Sequence, residues 1–244
     1  MRTKLLLLVF TILAVSSSLA QSPLDHVWRT INKSKNKPSI VPLTDDKISA
    51  GLKEALKVST EKAVASTGRP DGFLKNEAIK ILLPDKLRTA IGAMRLLGMG
   101  QQLDELEIGM NRAAEQATPL AEQIFVDALY KMTIDDARRI LTGSDTAATE
   151  YFRRNTSGEL TAAFKPVVHR SMQGIGVIKQ YNEVMQNPAA AQLVRVEGLD
   201  IDNYVLGKTL DGLFYMLGQE EKEIRKNPAA RTTALLREVF GNNL

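Results

Sequence analysis

The stretch TIDDARRILTGSDTAATEYFRR, from Thr133 to Arg154, gathers the side chains that acid–base chemistry and anion binding both use. Asp135, Asp136, Asp145 and Glu150 alternate with Arg138, Arg139, Arg153 and Arg154 around one glycine, Gly143. As punctuation between two helices, each charge has a structural task. Thr133 with Asp136 fits a variant of the capping box, hydroxyl and carboxylate each satisfying a free backbone N–H. Ile134, Ala137, Ile140 and Leu141 then share one face. Asp135 with Arg139, and Glu150 with Arg154, are spaced to pair on outer faces, for roughly a few tenths of a kcal/mol each. Gly143 reads as a left-handed stop, and Ser144 or Asp145 as the cap of a second helix that buries Ala147, Ala148, Tyr151 and Phe152. As a binding site, Gly143-Ser144-Asp145-Thr146 offers free N–H groups and hydroxyls at a helix start, which suits a small anion, with Arg139 or Arg153 assisting.

A wider polar set lies in the most distinctive blocks of the chain: Asn111, Arg112, Glu115, Asp136, Asp145, Arg153 and Arg231. Arginine with amide and carboxylate partners can hold an anionic group, so these are the ligand-binding candidates. No catalytic residue and no metal ligand is assigned. The alternative is a carboxylate-based or metal-dependent hydrolase of the cell envelope, built from acids such as Glu107, Asp127, Asp136 or Asp211. Glu107 sits on the edge of the Leu103–Met110 stripe, a position where partial burial can make an acid catalytically useful; an interhelical pair with an arginine is its competing role.

Other chemistries fail on composition. With no cysteine and two histidines, thiol nucleophiles, cysteine-bound zinc, disulfides and multi-histidine metal sites are excluded. A Ser-His-Asp triad would rest on His169 alone, without a GxSxG elbow. Ser59-Thr60-Glu61-Lys62 matches SxxK, but the companion SDN and KTG elements are missing. Asp200, Asp202 and Asp211 fall at calcium-loop positions, yet Val205 stands where glycine is needed and Tyr204 where an oxygen ligand belongs. An acidic N-terminus on a long helix explains them better. Gly174-Ile175-Gly176 lacks the third glycine and the preceding strand of a dinucleotide fingerprint. Asn32-Lys33-Ser34 and Asn155-Thr156-Ser157 satisfy the glycosylation pattern, which matters only in a eukaryotic secretory pathway. No cofactor is expected.

The elements that must position these groups begin with an address. Arg2 and Lys4 precede an apolar run from Leu5 to Val15, and Ser16-Ser17-Ser18-Leu19-Ala20 supplies the small residues of a cleavage site before Gln21. This is the pattern of a secretory signal peptide, too short for a transmembrane helix of roughly 20 apolar residues. The mature chain is therefore expected to be exported, periplasmic or extracellular, with no transmembrane segment. Removing Arg2 and Lys4 from 32 basic residues leaves 30 against 28 acidic ones, and no basic stripe for nucleic acid emerges.

Residues 21–43 read as a flexible tether, polar through Asn32-Lys33-Ser34-Lys35-Asn36-Lys37-Pro38. Leu24, Val27, Trp28 and Ile31 form a short apolar stripe within it, either docking on the chain's own domain or meeting a partner. From Thr44 the pattern is helix after helix. Ile48, Leu52, Ala55, Leu56, Ser59 and Ala63 keep amphipathic spacing, and Asp71-Gly72 marks a turn. Pro84 suits a first helical position, with Leu87, Ile91, Met94 and Leu97 on its stripe and Gly98 as stop. Leu103, Leu106, Met110, Ala113, Ala114 and Ala117 make the next stripe. Thr118-Pro119 opens a helix carrying Ile124, Phe125, Ala128, Leu129 and Met132. Leu206, Leu210, Leu213, Leu217 and Ile224 line a long one, and Asn227-Pro228 caps a last one bearing Leu235, Leu236, Val239 and Phe240. No strand pattern occurs. The expected fold is all-α: one domain over 44–241, a bundle of roughly eight or nine helices by its caps and stripes.

Four blocks, GRPDGFL, LGMGQQLDELEIGMNRAAE, IFVDALYKMTIDDARRILTGSDTAATEYFRRNTS and LDGLFYMLGQEEKEIRKNPAARTTALLREVFG, resemble a bacterial family of exported helical proteins, domain-of-unknown-function family 4197. The likeness spans Thr44 to Gly241. It implies a bacterial, exported, single helical domain, and it implies no reaction and no catalytic residue. The expectation is a non-catalytic module binding a protein or envelope partner, or a small anionic or apolar ligand.

Overall fold

Thr44 accepts a hydrogen bond from the Lys47 N–H at 3.4 Å and starts α1, Asp45–Gly68. This computed structural model describes residues 44–85, 88–174, 186, 200–231 and 237. The stripe on α1 turns inward as its spacing predicts, burying Leu52, Ala55, Leu56, Ser59 and Ala63. Then follow α2 (Arg88–Leu96), α3 (Gly100–Ala117), a 3₁₀ turn (Thr118–Leu120), α4 (Ala121–Lys131), α5 (Ile134–Leu141), α6 (Ala147–Gly174), α7 (Ile201–Lys226) and a 3₁₀ turn at Pro228–Ala230. No strand occurs among the described residues.

Eight or nine packed helices were expected; six, α1 and α3 to α7, build the body among the described residues, with short α2 set at the edge against α3. The surplus has identifiable sources. The stripe around Trp28 and the segment bearing Leu235 to Phe240 lie outside the described residues, and Pro228 opens only a 3₁₀ turn. Pro84 directly precedes a 3₁₀ residue, Asp85, and residues 86–87, between it and α2, lie outside the described residues. Gly98 does stop α2, at φ 83°.

The core is held by α6, which packs most extensively on α7 and α3. Phe125, Phe152 and Phe214 meet edge-on there, with centroids 5.0 Å and 6.1 Å apart. That geometry suits the ring quadrupoles. Phe73, from the irregular segment between α1 and α2, is fully buried beside α7. It fits because Gly212 has no side chain: a Cβ there would lie 2.6 Å from the Phe73 ring.

Candidate functional site

The irregular segment 69–85 needs partners for its backbone, since buried N–H and C=O groups without them are costly. Two candidate site residues, Asn111 and Glu115, supply them from α3, and a third, Arg112, braces the second of these. Asn111, with no exposed surface, accepts from Ile81 N and donates to Ile81 O, both at 2.8 Å. Glu115 accepts from Phe73 N and Leu74 N, both at 3.1 Å. Arg112 donates to Glu115 and to Asp71, each at 2.6 Å, and Lys75 closes the chain on Asp71 at 2.8 Å. The Lys75 ammonium and then the Arg112 guanidinium hold the Asp71 carboxyl below its ordinary range. Asp71 itself stands at φ 66°, and a Cβ on Gly72 would be 2.5 Å from Ser66 O. The turn at Asp71-Gly72 is thus both tight and clamped. Arg112 and Glu115 also line a surface cleft of about 300 Å³ with Pro70, Gln116 and Pro119.

The α5–α6 corner repeats the device with residues that the motif pattern did not single out. Glu221 of α7, 4% exposed, accepts from Ala148 N at 2.9 Å, and from Thr149 N and its hydroxyl at 2.8 Å. Its neighbour Arg225 donates to Glu221 at 2.9 Å and to Ile140 O at 2.7 Å. A carboxylate therefore meets the positive start of α6 and a guanidinium the negative end of α5, as helix dipoles favour. The helix start expected to suit a small anion is filled by this internal one. Neither Ser144 nor Asp145 caps α6 with its side chain; Glu221 does so from another helix. Gly143 is not left-handed; glycine is required because a Cβ would lie 2.7 Å from Arg139 O and from Ala147 Cβ.

The other candidates lie in separate arrangements. Asp136 completes the capping box with Thr133, as its spacing predicts, and also accepts from Arg139 at 2.5 Å. The Thr133 hydroxyl, then its N–H and Arg139, hold the Asp136 carboxyl below its ordinary value. Arginine pairing on α5 is i,i+3, Arg139 with Asp136 and Arg138 with Asp135, in place of the expected Asp135–Arg139 pair. Asp145 pairs with Lys226, which lowers its pKa. Arg153 reaches Asp211 at 3.4 Å and covers the Phe214 ring at 4.6 Å. Arg231 is buried and donates to Ile224 O and Arg225 O, serving the last carbonyls of α7. Of these candidates only Arg112 and Glu115 bond to each other, while Asn111 holds the same irregular segment at a separate point, Ile81.

The acids of the hydrolase alternative are dispersed. Glu107 pairs at 2.8 Å with Lys80, not with an arginine, and raises the Lys80 pKa. Asp127 accepts from Gln123 at 2.8 Å, and Asp211 faces Arg153. Ser59 of the SxxK match is buried and donates to Ala55 O. His169 meets Asp202 at 2.5 Å and Gln173 at 2.8 Å. Asp200 caps α7 by accepting from Asn203 N. Asn155 lies within α6 and donates to Tyr151 O. Among the described residues no group of three acids or histidines is placed to hold a metal, and no helix is long and apolar enough to cross a membrane.

A second cleft, of about 280 Å³, opens between α5 and the start of α6 and is lined by Asp136, Arg139, Ser144, Glu150 and Arg154 over Ile140, Ala147 and Tyr151. The Tyr151 hydroxyl is spent on Ala128 O, and burial raises its pKa. Comparison with known families matches residues 42–241 to the profile described as "Protein of unknown function (DUF4197)". No curated protein and no solved structure matches the chain.

Proposed function

The chain belongs to the DUF4197 family, and from that premise we propose an exported, non-catalytic helical module that binds a partner or ligand in the cell envelope or outside it. The three-part pattern of residues 1–20 supports export, and the near balance of charge after Gln21 argues against nucleic acid. In this reading residues 21–43 tether a domain spanning 44–241.

The observation that carries the reading is how the conspicuous acids and arginines are used. Glu115 and Asp136 accept backbone N–H groups as well as arginine. Glu107, Asp145 and Asp211 each face a cation. A general acid or base needs a free face, and carboxylates committed to backbone N–H groups and to cations do not offer one.

Native mass spectrometry of protein taken from the periplasm, beside its denatured mass, tests this. The expected result is a chain starting at Gln21, and any added mass lost on denaturation identifies a tightly held partner or ligand. A chain retaining residues 1–20, or turnover of a hydrolase substrate panel by the purified protein, contradicts it.

A further inference from the structure

Glu150 and Arg154 occupy successive turns of α6 in the order that favours an ion pair, and that pair was expected from their spacing. It does not form: both side chains are exposed, and neither has a hydrogen-bond or ion-pair partner among the described residues. They stand on the wall of the 280 Å³ cleft between α5 and α6. The Ser144 hydroxyl at its edge is likewise unspent, since only the Ser144 carbonyl is used, by Ala147 N. Arg139 gives one N–H to Asp136 and keeps others, because a guanidinium carries five donors.

We propose that this cleft binds a zwitterionic small molecule of the α-amino-acid class. The ligand's ammonium meets Glu150, and its carboxylate meets Arg154, with Ser144 and Arg139 as further donors. An apolar side chain lies on the floor made by Ile140, Ala147 and Tyr151. The charge arithmetic selects this class. Asp136 is neutralised by Arg139 and the Thr133 cap, which leaves one free acid and one free base facing the same space. A simple anion would leave Glu150 opposed to it, and a simple cation would leave Arg154 opposed. The helix start contributes nothing, because Glu221 already holds its N–H groups. A cleft this open makes weak binding, with a Kd on the order of 1 mM, since exposed ion pairs contribute little.

The inference rests on the domain being a binding module, and one experiment separates the two. Amide spectra of the mature protein are recorded while L-leucine, N-acetyl-L-leucine or L-leucine methyl ester is added. Saturable shifts at Ser144 and Arg154 with L-leucine are expected, and about two- to fivefold weaker binding for each capped probe, the loss of one exposed charge contact. Arg154→Ala should erase the preference for a free carboxylate, and Glu150→Gln that for a free ammonium. Neither change removes a bond from the fold. Equal response to all three probes, or no shift at those amides up to roughly 50 mM, about fifty times that Kd, overturns the site and leaves the module reading intact. Conversion of L-leucine into another compound, visible in the same tubes, overturns the module reading instead.

Discussion

Replacing Glu221 with alanine removes one acid and takes a partner from four groups. The N–H groups of Ala148 and Thr149 lose their acceptor, the Thr149 hydroxyl loses its own, and Arg225, with its side chain 12% exposed, loses one of its partners. Breaking a buried pair from one side costs about 3–5 kcal/mol, and the bonds that Arg225 keeps to Ile140 O and Leu141 O favour the lower half of that range. A domain of this size has a total stability of roughly 5–15 kcal/mol, so the change removes a large share. With a urea m-value of about 2–3 kcal/mol/M, the unfolding midpoint should fall by roughly 1.5 M, followed by far-UV circular dichroism. Glu221→Gln should fall about half as far, because an amide accepts on one side only. The double variant Glu221→Ala, Arg225→Ala should lose less than the sum of the singles. A midpoint for Glu221→Ala within about 0.3 M of the parent would refute the claim that this carboxylate caps α6.

Three further outcomes follow from the same packing. Asp136 has its pKa lowered from 3.8 by Thr133 and Arg139, so its contribution is complete above that value and is lost as pH falls through the lower folded value. Urea midpoints should therefore drop below about pH 4, and Asp136→Asn should flatten that slope. Gly158 lies exposed inside α6 with nothing near its missing Cβ; Gly158→Ala should add about 0.5–1 kcal/mol, read as a higher thermal midpoint. Gly72→Ala, with three carbonyl oxygens within 2.9 Å of the new methyl, should instead cost about 1–3 kcal/mol.

Local chemistry was legible in part and long-range chemistry was not. The capping box of Thr133 with Asp136 joins residues three apart, so spacing alone reveals it, whereas the left-handed stop at Gly143 and the Ser144 or Asp145 cap did not form. The stripes on α1, α3 and α7 declare their buried faces for the same reason. Glu115 and Glu221, in contrast, serve backbone as far as 42 and 73 residues away in the chain. No spacing rule reaches that far. A signal was present for Glu221, which falls on the Leu217–Ile224 stripe of α7; an acid at a core position demands a buried partner. The Glu150–Arg154 spacing misled in the other direction, because a favourable i,i+4 pair contributes only about 0.2–0.5 kcal/mol and geometry readily overrides it.

The division of labour among the arginines is tested most directly by one comparison, the urea midpoints of Arg112→Ala and Arg154→Ala in the same protein. Arg112 joins Glu115 to Asp71 and clamps the segment after α1, so its loss should lower the midpoint by roughly 1 M, the equivalent of about 2–3 kcal/mol. Arg154 holds nothing in the fold, and its loss should leave the midpoint within about 0.2 M. Equal shifts, or a larger one for Arg154, would contradict the account that the motif arginines serve the fold while the cleft keeps its charges free for a ligand.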